Sequence, residues 1–180
     1  MGLDQLIECC KNNDRQAQSE LYKLYASKLF SVCLKYSRNY VEAEDNLQDA
    51  YITIFKKIAQ FKNKGSLEGW MKRIVINTAL QRYRGVNVFD IVNEDQIKEV
   101  TVEVDEDDMS IDYLLNIIQK LPDRYRLVFN LYALDDYSHK EIAQMLSIST
   151  GTSKSNLARA RLILKDKIKH YKANLNSEII

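Results

Sequence analysis

The sequence predicts an all-α fold: two small helical domains joined by an acidic linker, the second containing a helix-turn-helix. Three observations carry that prediction. Only one Pro and five Gly occur in 180 residues, so little interrupts long helices. Apolar residues return at helical spacing along most of the chain. The formal charge of +1 is strongly segregated: residues 1–88 carry 14 basic and 9 acidic side chains, residues 89–112 carry 1 and 10, and residues 113–180 carry 11 and 6. The chain accordingly divides into domains at 1–88 and 112–180 and a linker at 89–111.

In the first domain, Leu3, Leu6, Ile7 and Cys10 define a short helix that Asn12-Asn13 ends. Asp14 can cap the next, whose inward stripe is Ala17, Leu21, Tyr25, Leu29, Val32, Cys33 and Tyr36. After a turn at Asn39-Tyr40, a helix from Val41 to Ile58 buries Ala43, Leu47, Ala50, Tyr51, Ile54 and Ile58. Its acidic first turns complement the helix dipole. Off that stripe, Asp45, Gln48 and Asp49 fall at i, i+3 and i+4 and form one small polar patch. Ser66 can cap a helix from Leu67 to about Arg84, with Leu67, Met71, Ile74 and Thr78 inward. Trp70, Arg73, Asn77, Gln81 and Arg84 share its other side. An aromatic among cations and amides, preceded by the basic loop Phe61-Lys-Asn-Lys-Gly-Ser66, suits single-stranded nucleic acid, because bases stack on aromatic rings while Lys and Arg follow phosphates. A Trp on a helix also serves as ordinary core, and both readings stand at this point.

Residues 88–112, with Glu103-Val-Asp-Glu-Asp-Asp108, have no sustained period and read as a solvated linker that could also fold back on a basic surface as a mimic of nucleic acid. Ser110 can cap a helix through Lys120 with Ile111, Leu114, Leu115 and Ile118 inward. Pro122 suits the first position of the next, which carries Tyr125, Val128, Phe129 and Tyr132. Ser138 and Glu141 form a capping box opening a helix with Ile142, Ala143 and Leu146 inward. Ser147–Ser149 is then a turn, and Ser149 can cap a last helix with the stripe Leu157, Ala160, Leu164, Ile168 and Tyr171. Away from that stripe lie Lys154, Ser155, Ala158 and Arg159, at the N-terminal end of the second helix, where such motifs meet base edges in the major groove. An ordinary amphipathic helix pair with a solvated basic face is the competing reading.

A content of 46% hydrophobic and 28% charged residues is ordinary for a globular chain. Cys9, Cys10 and Cys33 show no paired spacing and no C-x-x-C motif, which fits a reducing cytosol, and no apolar run approaches the ~20 residues of a membrane helix. The expected location is the cytoplasm, without direct membrane insertion. Only His139 and His170 are histidines, and no phosphate-binding glycine loop, metal-ligand cluster or nucleophile beside a base occurs. No catalytic residue, metal, cofactor or small-molecule substrate is expected.

Five linked stretches resemble the extracytoplasmic-function group of bacterial sigma-70 factors, over nearly the whole chain and in that family's order. Ala43-Glu-Asp-Asn-Leu-Gln-Asp-Ala-Tyr51 resembles its core-binding helix, and Gly69-Trp-Met-Lys-Arg-Ile-Val-Ile-Asn77 its minus-10 reading helix. Leu121-Pro-Asp-Arg-Tyr-Arg-Leu-Val-Phe129, with Tyr137–Ala143 and Gly151–Arg161, resembles its minus-35 domain. The resemblance implies a promoter-specificity subunit, not an enzyme, that binds core RNA polymerase and promoter DNA and has an anti-sigma factor as a further partner. It implies that Asp45, Gln48, Asp49 and Phe55 engage the largest polymerase subunit, and that Lys62, Asn63 and Lys64, up to Gly65, form the loop that accepts a flipped minus-10 base. Trp70, Arg73 and Asn77 would hold the non-template strand. Lys154, Ser155, Ala158 and Arg159 would face the minus-35 element, with Arg161 on phosphate. The rival is a stand-alone helix-turn-helix regulator, which has no use for the Asp45, Gln48 and Asp49 patch.

Overall fold

A computed structural model describes residues 2–84 and 110–177, with side chains described through residue 174. The acidic run Glu103–Asp108 and the fold-back idea attached to it lie outside the described residues. All regular structure among the described residues is helical, and the chain divides into two compact units, Met1–Arg84 and Gly85–Ile180.

The first unit comprises α1 (Leu3–Lys11), α2 (Arg15–Tyr36), α3 (Tyr40–Lys57), a 3-10 turn (Ile58–Gln60) and α4 (Leu67–Gln81). Side-chain oxygens set three of its helix starts. Asp14 accepts from the Gln16 and Ala17 amides, Asn39 from Glu42 and Ser66 from Gly69, each satisfying backbone donors that a helix start leaves open. Helices α2, α3 and α4 pack mutually, and α1 lies against α2. The expected stripes of α2 and α3 are buried apart from Tyr25, which is half-buried. Helix α4 is rotated from expectation. Its buried face is Leu67, Met71, Val75, Ile76, Ala79 and Leu80, while Ile74 and Thr78 are half-buried and the Thr78 hydroxyl donates to the Ile74 carbonyl. The helix ends at Gln81, and Tyr83 just beyond it is buried with its hydroxyl on the Tyr36 carbonyl, 2.8 Å.

The second unit comprises α5 (Ile111–Gln119), α6 (Asp123–Phe129) running into a π turn (Asn130–Leu134), α7 (His139–Leu146) and α8 (Thr150–Ser177). Its centre is α8, against which α5, α6 and α7 all pack. Ile117, Leu121, Ala160 and Leu164 form one cluster, ringed by Leu114, Ile118, Tyr125, Phe129 and Ile168. Two expected inward residues of α5 instead face solvent, Ile111 at 74% and Leu115 at 50% exposure, because Ile117 and Leu121 set the packed face. Pro122 precedes α6 as its N-cap rather than opening it. The Ser138–Glu141 capping box is complete. The following turn passes through Ser147 at φ 57° and Ile148, whose amide donates to the Ala143 carbonyl, and Ser149 caps α8 through the Thr152 amide, 2.9 Å. Thus α7, turn and α8 form a helix-turn-helix. Of its first helix, Ile142 is fully buried, while Ala143 and Leu146 are half-buried.

Candidate functional site

In the first unit the outer face of α3 is the first surface. Burial of Ala43, Leu47, Ala50, Tyr51 and Ile54 turns Asp45, Gln48 and Asp49 outward, and all three are exposed. Helical spacing places Ile52 on the same strip, at i+4 from Gln48 and i+7 from Asp45. Ile52 is 53% exposed. Sequence reasoning missed it, although its position off the buried stripe was readable from the spacing. Phe55 is half-buried, its ring 5.7 Å from that of Tyr51, which in turn lies 4.6 Å from Tyr22. Burial pushes the Tyr51 phenol well above its usual range. The result is an acidic strip with an aliphatic centre and an aromatic edge. An amphipathic basic helix is its chemical complement.

The patch is anchored from below. Asn46, one residue after Asp45, is fully buried at 0% exposure and donates to the Ser37 hydroxyl, 2.8 Å. Its amide oxygen accepts from Arg82 Nε, and the same guanidinium reaches Asp49 Oδ2 at 3.2 Å.

The loop and α4 make the second surface. Lys62, Asn63 and Lys64 are exposed, and the loop turns through Asn63 at φ 55° and Gly65 at φ 92°. A glycine accepts the latter without the clash a Cβ would bring. Buried Phe61 starts the loop, and its ring lies 5.5 Å from that of Trp70. Trp70 is half-buried, so part of its side chain packs against Phe61 and part remains accessible to solvent. Arg73 and Asn77 are exposed along the same helix. Loop, indole and polar row therefore lie in sequence on one unit, with cations and an aromatic edge offered to solvent.

The third surface is the helix-turn-helix of the second unit. Lys154 is exposed, and Ser155 and Arg159 are half-exposed near the start of α8. Ala158 is a correction. It is 6% exposed and belongs to the packed face with Leu157 and Ala160, so it offers no surface to a base. Asn156 is buried with it. Arg161 stands over the Tyr132 ring at 5.8 Å, and that ring stacks on His139 at 4.6 Å. His139 Nδ1 is 2.9 Å from the hydroxyl of buried Ser153. The π turn that carries Tyr132, the start of α7 and the middle of α8 thus meet at one small cluster that orients Arg161.

Among the described residues there is no group of His, Cys, Asp and Glu fit to hold a metal ion, and no helix is long and apolar enough to cross a membrane. The sigma-70 region 2 family model matches residues 21–87 and the sigma-70 region 4 model residues 111–164. The extracytoplasmic-function (ECF) RNA polymerase sigma factor SigW of Bacillus subtilis is 28% identical over 189 residues, covering 94% of this chain and 98% of that protein. The ECF RNA polymerase sigma-E factor of Haemophilus influenzae is 27% identical over 179 residues, covering 91% and 93%. In fold the chain is similar to the sigma factor RpoE of Bartonella quintana, solved with the anti-sigma factor NepR, with a TM-score of 0.52, 22% identity, and coverage of 84% of this chain and 96% of that one. Two successive modules of one family, in that family's order and carried at nearly full length by its members, place this chain in the extracytoplasmic-function group of the sigma-70 family, non-enzymatic subunits that bind RNA polymerase and promoters to initiate transcription.

Proposed function

We propose that each of the three surfaces has its own share of that work, with residues 1–88 and 112–180 as the two gripping domains and 89–111 as the acidic linker between them. Asp45, Gln48 and Asp49, with Ile52 at the centre and Phe55 at the edge, form the polymerase-binding face. Buried apolar centres ringed by charge are where interfaces concentrate their energy, and this strip has that layout. Lys62, Asn63 and Lys64 cradle a flipped minus-10 base, while Trp70, Arg73 and Asn77 hold the unpaired strand by stacking and phosphate contact. Lys154, Ser155 and Arg159 read the minus-35 element, and Arg161 contacts phosphate.

The observation that carries the reading is the α3 strip: carboxylates, an amide and an exposed isoleucine on one face of a helix whose opposite face is wholly core. A stand-alone DNA regulator gains nothing from an acidic face, which repels its ligand. Co-elution with core polymerase is the test. Loss of co-elution on Asp49→Arg supports the assignment, and undiminished co-elution of that variant favours a free-standing regulator.

The protein works where polymerase and promoter are, in the cytoplasm. An anti-sigma factor is a further partner on this reading, since the Bartonella quintana relative was solved with one.

A further inference from the structure

Arg82 follows the last residue of α4, next to the row assigned to the promoter strand, yet its guanidinium turns away to α3. Two of its donors are committed there: Nε to the amide oxygen of Asn46, and a terminal nitrogen to Asp49 Oδ2 at 3.2 Å. Asn46 is held in turn by its own bond to Ser37, and both are buried. The chain Ser37–Asn46–Arg82–Asp49 therefore joins the end of α2, the patch helix and the end of α4. A buried amide is costly unless both its ends are bonded, and here Ser37 and Arg82 satisfy them.

We infer that Arg82 is a positioning residue for polymerase binding: it fixes the Asp49 carboxylate in one orientation on the α3 strip, with buried Asn46 as the anchor that fixes Arg82 itself. This rests on the reading of that strip as the polymerase-binding face. The geometry supports preorganisation. The Arg82 contact engages Oδ2, the Asp49 side chain remains 58% exposed, and a partner cation can approach a carboxylate whose rotamer is already chosen. An isolated surface ion pair of this exposure contributes little to folding. Its effect falls instead on the side chain that the partner must meet. The same arrangement ties the end of the strand-holding helix to the polymerase-binding strip, so a disturbance at one reaches the other through two hydrogen bonds.

A double-mutant cycle on affinity for core polymerase tests this, using the full chain and the variants Arg82→Ala, Asp49→Ala and both together, with thermal melting measured on each. The expected result is a three- to ten-fold loss of affinity for Arg82→Ala, of the order that ordering one side chain supplies (about 0.5–1.5 kcal/mol), and no further loss when Arg82→Ala is added to Asp49→Ala. Arg82→Lys, which keeps the charge and loses the fork, should restore only part of the affinity. An equal loss in both backgrounds would assign Arg82 a merely structural role and overturn the proposal, as would unchanged affinity for Arg82→Ala beside a weakened Asp49→Ala. Unchanged affinity for Asp49→Ala would remove the polymerase-binding reading itself, and the proposal with it.

Discussion

Phe61 and Trp70 hold their ring centroids 5.5 Å apart, so the loop that carries Lys62, Asn63 and Lys64 is pinned at its start to the helix that carries Arg73 and Asn77. Trp70→Ala should therefore impair transcription from a duplex promoter more than from a pre-melted one, because the indole's open side is asked to stack on bases only as they leave the helix. In vitro transcription from the two templates checks this. Equal impairment on both would point to lost packing against Phe61.

Arg159 and Arg161 are two residues apart on α8 and differ in setting. Among the described residues no ring lies beneath Arg159, whereas Arg161 lies over Tyr132. If Arg159 reads a base edge, Arg159→Ala costs about 1–3 kcal/mol and relaxes preference at one promoter position, while Arg161→Ala weakens binding to all sequences alike and lowers the salt slope by about 1. Binding of the sigma–polymerase complex to promoter variants across a salt series separates the two. No change in either quantity for Arg159→Ala would overturn its assignment.

Ser147 closes α7 at φ 57°, ψ 43°, a left-handed conformation that glycine adopts at no steric cost. Ser147→Gly should raise stability by up to about 1 kcal/mol. It should leave promoter preference unchanged, since Ser147 precedes the reading residues. Denaturant unfolding measures the gain, and a loss of stability would show that the Ser147 side chain does more than turn the chain.

Alkali should loosen the first unit. Burial, with smaller contributions from Cys9, Asp14 and Glu20, pushes the Cys10 thiol from 9.0 up to about 11, and burial pushes the Cys33 thiol from 9.0 up to about 12. Both thiols stay protonated in the fold and ionise sooner in the unfolded chain. Their contribution is present below pH 9 and is lost as pH rises through 11 to 12. Melting temperature against pH should fall in that window, and Cys10→Ala with Cys33→Ala should flatten the fall. An unchanged slope in the double variant would assign the loss to other groups.

Helix starts were the most legible part of this sequence. Asp14, Ser66, Ser110, Ser138 and Ser149 each cap a helix as their chemistry predicts, because a cap needs only a short oxygen-bearing side chain and the next three amides. Helix faces were harder to read in α4 and α5, where apolar residues run together. Ile74-Val75-Ile76 and Leu114-Leu115 offer adjacent apolar residues, and only the neighbouring helices decide which of them turns inward. Asn46 was unreadable for a related reason. Beside Asp45 and three residues before Asp49 it looks solvated, and its hydrogen-bond partners Ser37 and Arg82 are distant in sequence. Ala158 was placed outward as a small neighbour of Arg159, yet it completes the packed face of α8. The polar patch of α3 was readable in outline, while Ile52, its apolar centre, was passed over because apolar residues are first assigned to a core.

Helix α8 is both the reader of the minus-35 element, on this assignment, and the post around which the second unit is built. Ser153, Asn156, Leu157, Ala158, Ala160 and Leu164 are buried, which leaves few positions near its start free to vary. On this assignment Lys154, Ser155 and Arg159 are where a change of promoter preference falls with least effect on packing. Change at a buried neighbour also disturbs the packing of the domain, so on this assignment few positions can alter promoter preference without touching stability.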